Sequence, residues 1–178
     1  MDLTPVLESL SGFGEVIVWD NSKQENLKVF GRYRAALNAK NSVVFSQDDD
    51  CVLDAAQVVS AYEPGKVVCN MPIAKRSEYR VLAGERIALV GWGACFSTDK
   101  VGNFQRYFNR FGMDDLFLRE CDRVFTAANE LKLVDVPFRH LPHAYEGRMG
   151  NEARHLQDLG EIRKRIDNVL RLPADIKA

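Results

Sequence analysis

Short apolar runs alternate along the chain with longer stretches in which apolar positions recur three or four residues apart. The runs are typical of buried strands, and the spaced positions are typical of amphipathic helices. The predicted strands cover residues 15–19, 42–46, 66–71, 87–90 and 131–138. The predicted helices cover residues 5–10, 32–39, 52–62, 104–111, 116–128 and 161–170. This alternation predicts an α/β fold, a three-layer α/β/α sandwich with a mostly parallel central sheet.

Length and composition narrow the class of protein. A chain of 178 residues without an internal repeat or linker is the size of one domain, and 46% hydrophobic with 28% charged residues is ordinary for a globular protein. The net charge of -1 argues against bulk binding of nucleic acid. No apolar run approaches the roughly 20 residues that cross a bilayer, so we expect no stable membrane insertion and a cytoplasmic protein.

The four cysteines are far apart in the sequence and form no Cys-x-x-Cys pair. This spacing argues against a zinc site or a disulfide framework. We therefore predict that Cys51, Cys69, Cys95 and Cys121 are buried free thiols, since cysteine favours protein interiors.

Three carboxylates, Asp48, Asp49 and Asp50, directly follow the apolar run Val43-Val44-Phe45. Like charges held close together raise each other's pKa, so such a cluster is favoured by a bound cation. Carboxylate oxygens are the ligands that Mg²⁺ and Mn²⁺ prefer. The alternative is a helix cap, in which Asp50 accepts hydrogen bonds from the amides of the predicted helix 52–62.

Polar or glycine-rich segments follow three of the predicted strands. These are Asp20-Asn21, the run 48–50 and the segment 91–93. The carboxyl ends of parallel strands meet at one edge of a sheet, where ligands of α/β proteins bind. The sequence therefore predicts one binding site at this edge.

The segments 16–22, 30–33 and 43–51 together resemble the nucleotide-sugar half of GT-A fold glycosyltransferases, closest to the family 2 type and the exostosin-like enzymes. In that family an apolar strand ends in Asp-x-Asp or Asp-Asp-Asp. The resemblance implies that Asp48 and Asp50 hold Mn²⁺ or Mg²⁺ against the diphosphate of a nucleoside-diphosphate sugar, with a UDP-sugar favoured. The residues it assigns to donor binding are Asp20, Asn21, Arg32, Asp48, Asp49, Arg76 and Arg148.

The second half of the chain resembles the acceptor side of the same family. Gly91-Trp92-Gly93-Ala94 is similar to its acceptor-side glycine segment, which implies that Trp92 and Gly93 contact the acceptor. The segment 111–117 is similar to its Glu/Asp-Asp motif, whose second acid is the catalytic base of inverting members; that position is Asp115, with Asp114 as the near alternative. Retaining exostosin-like enzymes leave the stereochemistry open.

The resemblance assigns the remaining parts of the chain as well. His143 is similar to the histidine that completes the metal shell in some members, while His140 and His155 fit hydrogen-bonded or surface positions. It implies one domain, 1–178, with a nucleotide-sugar half over 1–95 and an acceptor and catalytic half over 96–178. Family members have a central strand before their first helix, so we expect the natural reading frame to extend upstream of Met1.

The function expected from these features is a metal-dependent transfer of a sugar to a hydroxyl-bearing acceptor. The acceptor could be a glycan, a lipid carrier, a small metabolite or a modified base in DNA. Two alternatives stay open at this point: a nucleotidyltransferase, and an inactive binding or scaffold domain. Each candidate residue also has a simpler interpretation, since Asp115 can serve only the dipole of a helix N-terminus and Trp92 can belong to the core.

Overall fold

The computed structural model describes residues 2–76, 88–142 and 152–170, and this part of the chain is mixed α/β. Its α-helices are α1 (Thr4–Ser9), α2 (Gly31–Ala36), α3 (Ala55–Ser60), α4 (Ile73–Arg76), α5 (Gln105–Phe111), α6 (Asp115–Ala128) and α7 (Glu152–Leu170). Short 3-10 helices cover Lys28–Phe30, Val90–Trp92 and Thr98–Phe104. The strands are β1 (Val43–Ser46), β2 (Cys51–Leu53), β3 (Val67–Asn70), β4 (Ala94–Ser97), β5 (Leu131–Val134) and β6 (Phe138–His140).

The described strands form a four-stranded mixed sheet and a separate two-stranded pair. The main sheet has the order β1-β4-β3-β5, in which β1–β4 and β3–β4 are antiparallel and β3–β5 is parallel. β2 and β6 form a separate antiparallel pair. The α/β class is therefore confirmed, but the prediction of a mostly parallel sheet is wrong for the described strands. Alternation of strands and helices indicates the class, whereas the path of each connection decides strand direction.

The predicted strand at 87–90 is one reason for that error. Within its described part, residues 88 and 89 form no strand and Val90 begins a 3-10 turn. Gly93 then adopts φ 105°, a value that L side chains rarely reach, and β4 begins at the next residue. The glycine segment thus precedes the strand instead of following it.

Residues 15–19 were predicted as a strand and are extended without belonging to a sheet. Val16, Ile17 and Val18 are exposed, although their β-branched side chains favour strands. Composition selects the extended backbone, but a strand also needs a neighbouring strand to bond to, and no other described strand pairs with this segment.

Two further predicted elements each contain two elements in the structure. Residues 52–62 contain the end of β2 and then α3, whose N-cap is Asp54, which accepts a hydrogen bond from the Ala56 amide at 3.1 Å. The carboxylates 48–50 therefore lie in a turn between two strands, and Asp50 is not a helix cap. The predicted strand 131–138 is divided between β5 and β6, because Pro137 cannot donate a ladder hydrogen bond.

The main core lies between one face of the larger sheet and the helices α2, α5, α6 and α7. Its centre is a group of contacting aromatic rings, with centroids 4.7 to 5.8 Å apart where Tyr33 meets Phe125, Phe104 and Phe30. The predicted helix over 116–128 is confirmed as α6, and the predicted helix 161–170 is the second half of the longer α7. All four cysteines are buried and free, as predicted. No helix in the described ranges has the length and apolarity required to cross a membrane.

Candidate functional site: a carboxylate-lined cavity

A cavity of about 930 Å³ lies between α1, the extended segment 15–20, α2 and β1 with its following turn. One end of this cavity is polar. The predicted donor-site residues that line it are Asp20, Asn21, Arg32, Asp48 and Asp49, and Asp50 joins them. The structure therefore brings together most of the residues that the sequence assigned to the donor, although the described strands form a mixed sheet and not a parallel one.

Asp48 is held by a protein cation and by the backbone. Arg32 Nη2 donates to Asp48 Oδ1 at 2.5 Å, and the Asp48 amide donates to the Gly91 carbonyl at 2.8 Å. Gly91 packs so closely on the Asp48 carboxylate that a Cβ at this position would collide with it. The role of Gly91 is thus to let the backbone approach Asp48, and Arg32 offsets part of the charge that sequence reasoning assigned to a metal ion.

Beneath Asp48 lies a buried polar network centred on Asp122. Its carboxylate accepts hydrogen bonds from the Tyr33 hydroxyl at 2.7 Å and the Val90 amide at 3.2 Å, and it lies 3.5 Å from Arg32 Nη1. Burial opposes the charge of Arg32, but Asp122 and Asp48 outweigh it and raise the pKa of the guanidinium above its ordinary value. Arg32 is therefore a permanent cation fixed under the turn.

The turn also carries a cluster of three possible metal ligands. Asp50 is only 7% exposed and lies 3.2 Å from His140, measured from Oδ2 to Nδ1. The Cys51 thiol is 3.6 Å from Asp50 Oδ1 and 3.8 Å from His140 Nδ1. In the β2–β6 register, Cys51 lies directly opposite His140. Both side chains therefore project from the same face of this strand pair.

Ligand atoms of Asp50, Cys51 and His140 all lie within 4.8 Å of one another. Within the described part of the chain, these three residues are the candidate metal ligands. The cluster includes the predicted ligand Asp50 but not the predicted ligand Asp48. Sequence reasoning missed His140 because the β2–β6 pairing that brings it to Asp50 is a long-range contact. The predicted histidine ligand, His143, and the predicted diphosphate ligand, Arg148, both lie outside the described residues.

The chemistry of this cluster fits a divalent transition ion better than magnesium. Mg²⁺ prefers oxygen ligands in octahedral geometry, whereas this set offers one carboxylate, one imidazole and one thiol. Burial, followed by the neighbouring Asp50 and Asp48 carboxylates, raises the pKa of the Cys51 thiol well above its ordinary value. Without an ion, Cys51 is therefore a protonated thiol and no nucleophile.

The two predicted catalytic acids lie at the start of α6, away from the cavity lining. Asp114 caps the helix by accepting from the Phe117 amide at 2.9 Å, and Arg165 donates to it at 2.6 Å. Although burial acts in the opposite direction, these two hydrogen bonds hold the pKa of Asp114 below its ordinary value. Asp115 pairs with Arg119 and with Lys28, and Lys28 lines the cavity.

The remaining predicted contacts are not at the cavity. Trp92, proposed to stack on the acceptor, is 5% exposed, and its ring packs against Phe138 with centroids 4.8 Å apart. It therefore offers no open stacking surface. A Cβ at Gly93 would approach the Leu53 side chain to 2.8 Å, and Arg76 Nε donates to the Met71 carbonyl at 2.7 Å. Trp92, Gly93 and Arg76 have structural contacts here, and none lines the cavity.

Asp20 and Asn21 shape the loop at the polar end of the cavity. The Ser22 hydroxyl and amide, with Lys23, lower the pKa of Asp20 to about 2. The Asn21 side chain accepts from the Leu27 amide at 3.0 Å and donates to the Lys28 carbonyl at 3.1 Å. Asn21 thus fixes the position of Lys28, which carries the ion pair to Asp115.

The fold and the cavity define a mixed α/β protein with a carboxylate and histidine cluster beside a space large enough for a small ligand. No protein-family model, curated protein or solved structure matches the chain.

Proposed function

We propose that the protein is a metal-dependent glycosyltransferase that moves a sugar from a nucleoside-diphosphate sugar to a hydroxyl acceptor. The observation that carries the proposal is the polar end of the cavity. Asp20, Asn21, Arg32 and the carboxylates 48–50 meet there, and the buried Asp50 lies 3.2 Å from His140. A buried carboxylate paired with an imidazole beside a ligand-sized cavity is a suitable place for a cation and a diphosphate.

Asp50 and His140 are the residues proposed to hold the ion, with the Cys51 thiol within reach. When bound, the ion would offset the negative charge that the diphosphate gains as it leaves. Arg32 keeps Asp48 in place, and Asn21 keeps the loop that carries Lys28 in place. We favour Mn²⁺ over Mg²⁺ because the proposed set includes a nitrogen ligand.

In the proposed transfer, the acceptor hydroxyl oxygen bonds to the anomeric carbon of the donor. The bond from that carbon to the diphosphate oxygen breaks, and its electron pair leaves with the diphosphate. Asp115 is the proposed base that takes the hydroxyl proton. This role requires the acceptor hydroxyl to bind within hydrogen-bond reach of Asp115. The link between Asp115 and the cavity is its ion pair with Lys28, and this pair has to separate for Asp115 to accept the proton.

A second candidate is a domain that binds a nucleoside diphosphate without transferring a sugar. The observation that favours it is the state of the two acids, since Asp114 is bound by Arg165 and Asp115 by Lys28 and Arg119. A carboxylate held by cations can take a proton only after an ion pair opens. This candidate differs from the first only in the chemical step.

Calorimetry with uridine diphosphate tests the proposal. We expect saturable binding that needs Mn²⁺, because the diphosphate would be held through the ion at Asp50 and His140. Titrations with Mn²⁺, Mg²⁺ and Zn²⁺ in turn would separate the ions, and a thiolate absorption band on Co²⁺ addition would report whether Cys51 is a ligand. Binding of uridine diphosphate that is equal with and without a divalent ion would contradict the metal site.

Asp115→Asn is expected to leave metal-dependent donor binding unchanged and to slow transfer about 100-fold, the lower end of the contribution of a general base. The measurements are calorimetry and the initial rate of sugar transfer. The matched control is Asp158→Asn, which removes the negative charge of the carboxylate that accepts from Arg119 Nε at 2.8 Å and so makes the same charge change. An equal loss of rate in both variants would assign the effect to the ion pairs of α6 and not to a base.

A further inference from the structure

A second feature of the cavity is the apolar groove between the extended segment 15–20 and β1. Both of its sides carry exposed apolar side chains: Val16 is 45% exposed, Ile17 41%, Val18 50% and Val43 37%, and all four line the cavity. Scattered exposed apolar residues are normal, but a contiguous group on two facing walls marks a surface that binds another chain.

On the β1 wall of the groove, one edge of the backbone has no neighbouring strand among those described. β1 is an edge strand of the main sheet, with β4 as its neighbour. The Thr98 amide donates to the Ser42 carbonyl at 2.8 Å, and the register continues with Val43 opposite Ser97. Because bonded and non-bonded pairs alternate along antiparallel strands, Val43 and Phe45 direct their N–H and C=O groups away from β4, toward the groove.

Residues 16–18, on the other wall, also lack strand pairing in the described part of the chain. Among the residues that the structure describes, no backbone hydrogen bond joins residues 16–18 to β1 or to any other strand. An extended segment and a free strand edge that face the same groove each offer a row of donors and acceptors. A strand edge of this kind is a template for pairing with another extended chain.

The groove carries its largest group of charges at one end. Asp20, Asp48, Asp49 and Asp50 lie there, and the nearby cations are Arg32, Lys23 and Lys28. Elsewhere along the cavity, Glu15 lies 3.9 Å from its partner Lys40. The carboxylates outnumber the cations, so this end has a negative potential. A chain lying in the groove would be favoured by a basic residue at this end and by apolar, β-branched residues along the rest.

We propose that the groove binds an extended segment of another polypeptide, which adds as a strand to the free edge of β1 and covers Val16, Ile17 and Val18. The segment is apolar and β-branched in its middle and basic at the end that meets Asp20 and Asp48. It pairs along the four residues of β1, a length of about 13 Å at roughly 3.3 Å per residue. This inference does not depend on the proposed sugar transfer, although a basic residue in the groove would compete with a metal ion for the carboxylates 48–50.

The probe for this proposal is a fluorescein-labelled peptide with the core Val-Thr-Val-Ile-Val followed by two lysines, titrated with the 178-residue chain. Fluorescence anisotropy is expected to show saturable binding. A peptide with a central proline should not bind, because proline cannot donate to a strand ladder. A peptide in which glutamates replace the lysines should bind at least about tenfold more weakly, because it meets the carboxylate end.

The protein variants locate the binding. Ile17→Asp should weaken binding at least about tenfold, since it places a charge in the apolar wall. Its matched control is Ile73→Asp, at a position that is 64% exposed and does not line the cavity, and this variant should bind as the wild type does. Circular dichroism would show that both variants fold. Equal binding by Ile17→Asp and the wild type would overturn the proposal.

Hydrogen exchange followed by mass spectrometry gives an independent measurement. With peptide bound, the amides of residues 15–20 and 42–47 should exchange more slowly, because the free N–H groups of both walls become bonded. Protection at other segments only, or no saturable binding of any peptide, would overturn the proposal. Protection of the groove that appears without peptide and increases with protein concentration would also overturn the proposal. In that case a second copy of this chain would be the occupant.

Discussion

Asp50→Asn is expected to abolish metal-dependent donor binding and, with it, sugar transfer. Asp50 is buried and, among the described residues, is the carboxylate grouped with both His140 and Cys51. The amide keeps the size of the side chain and an oxygen near His140 but removes the negative charge that attracts a divalent ion. Loss of even an outer partner of a metal ligand lowers affinity about 10- to 100-fold, so loss of a ligand charge should lower it by at least about 100-fold.

The measurement is calorimetric titration of Mn²⁺ and then of uridine diphosphate into the variant. Asp99→Asn is the matched control, since it makes the same charge change at an exposed residue that contacts Ser97 and does not line the cavity. His140→Ala should resemble Asp50→Asn. Wild-type affinity for Mn²⁺ in both Asp50→Asn and His140→Ala would show that the cluster is a structural contact between the turn and β6.

Asp122→Ala is expected to destabilise the protein by about 3 to 5 kcal/mol, the usual cost of removing one partner of a buried ion pair. The Tyr33 hydroxyl, the Val90 amide and Arg32 Nη1 all face this carboxylate, and Arg32 Nη1 already lacks a hydrogen bond among the described residues. The substitution would leave two buried donors, the Tyr33 hydroxyl and the Val90 amide, without their acceptor, and Arg32 with Asp48 as its remaining carboxylate partner. Arg32 would then hold Asp48 less firmly, so the variant should also bind the donor more weakly.

Urea denaturation followed by circular dichroism measures this loss of stability. Glu130→Ala is the control, because its carboxylate is mostly exposed and lies 3.6 Å from Lys66, and such surface pairs contribute about 0 to 1 kcal/mol. Asp122→Asn keeps an acceptor for Tyr33 and should lose less than Asp122→Ala. A loss below about 1 kcal/mol in Asp122→Ala would mean that water or a side-chain rearrangement satisfies the network.

Much of the local structure could be predicted because it depends on near neighbours in the sequence. β1 and β3 are mostly apolar and rich in valine, α6 begins at two acids that complement a helix N-terminus, and the cysteines are buried. Asp20, Asn21, Arg32, Asp48 and Asp49, which the sequence assigned to one donor site, do line one cavity. Whether they bind a donor is a proposal that the titrations above test.

Two of the errors, the strand at 15–19 and the direction of the sheet, share one physical cause, which is pairing between distant residues. Residues 15–19 have strand composition but pair with no strand in the described part of the chain, and the antiparallel direction of β4 follows from its pairing with β1 and β3. The sequence left Trp92 open between an acceptor contact and the core, and in the structure its ring packs against Phe138 in the core. A pattern in the sequence does not show which distant segment a residue will meet.

The sequence by itself determined the α/β class, the apolar strand before the carboxylates 48–50 and the acidic start of α6, because backbone preference and burial are properties of short segments. The tertiary structure alone decided that β4 is antiparallel to β1, that Arg32 neutralises Asp48, and that the partner of Asp50 is His140. It also decided that Val16, Ile17 and Val18 face an open groove. Strand register and ion pairing are long-range contacts, and they exist only once the folded chain brings their partners within hydrogen-bonding distance.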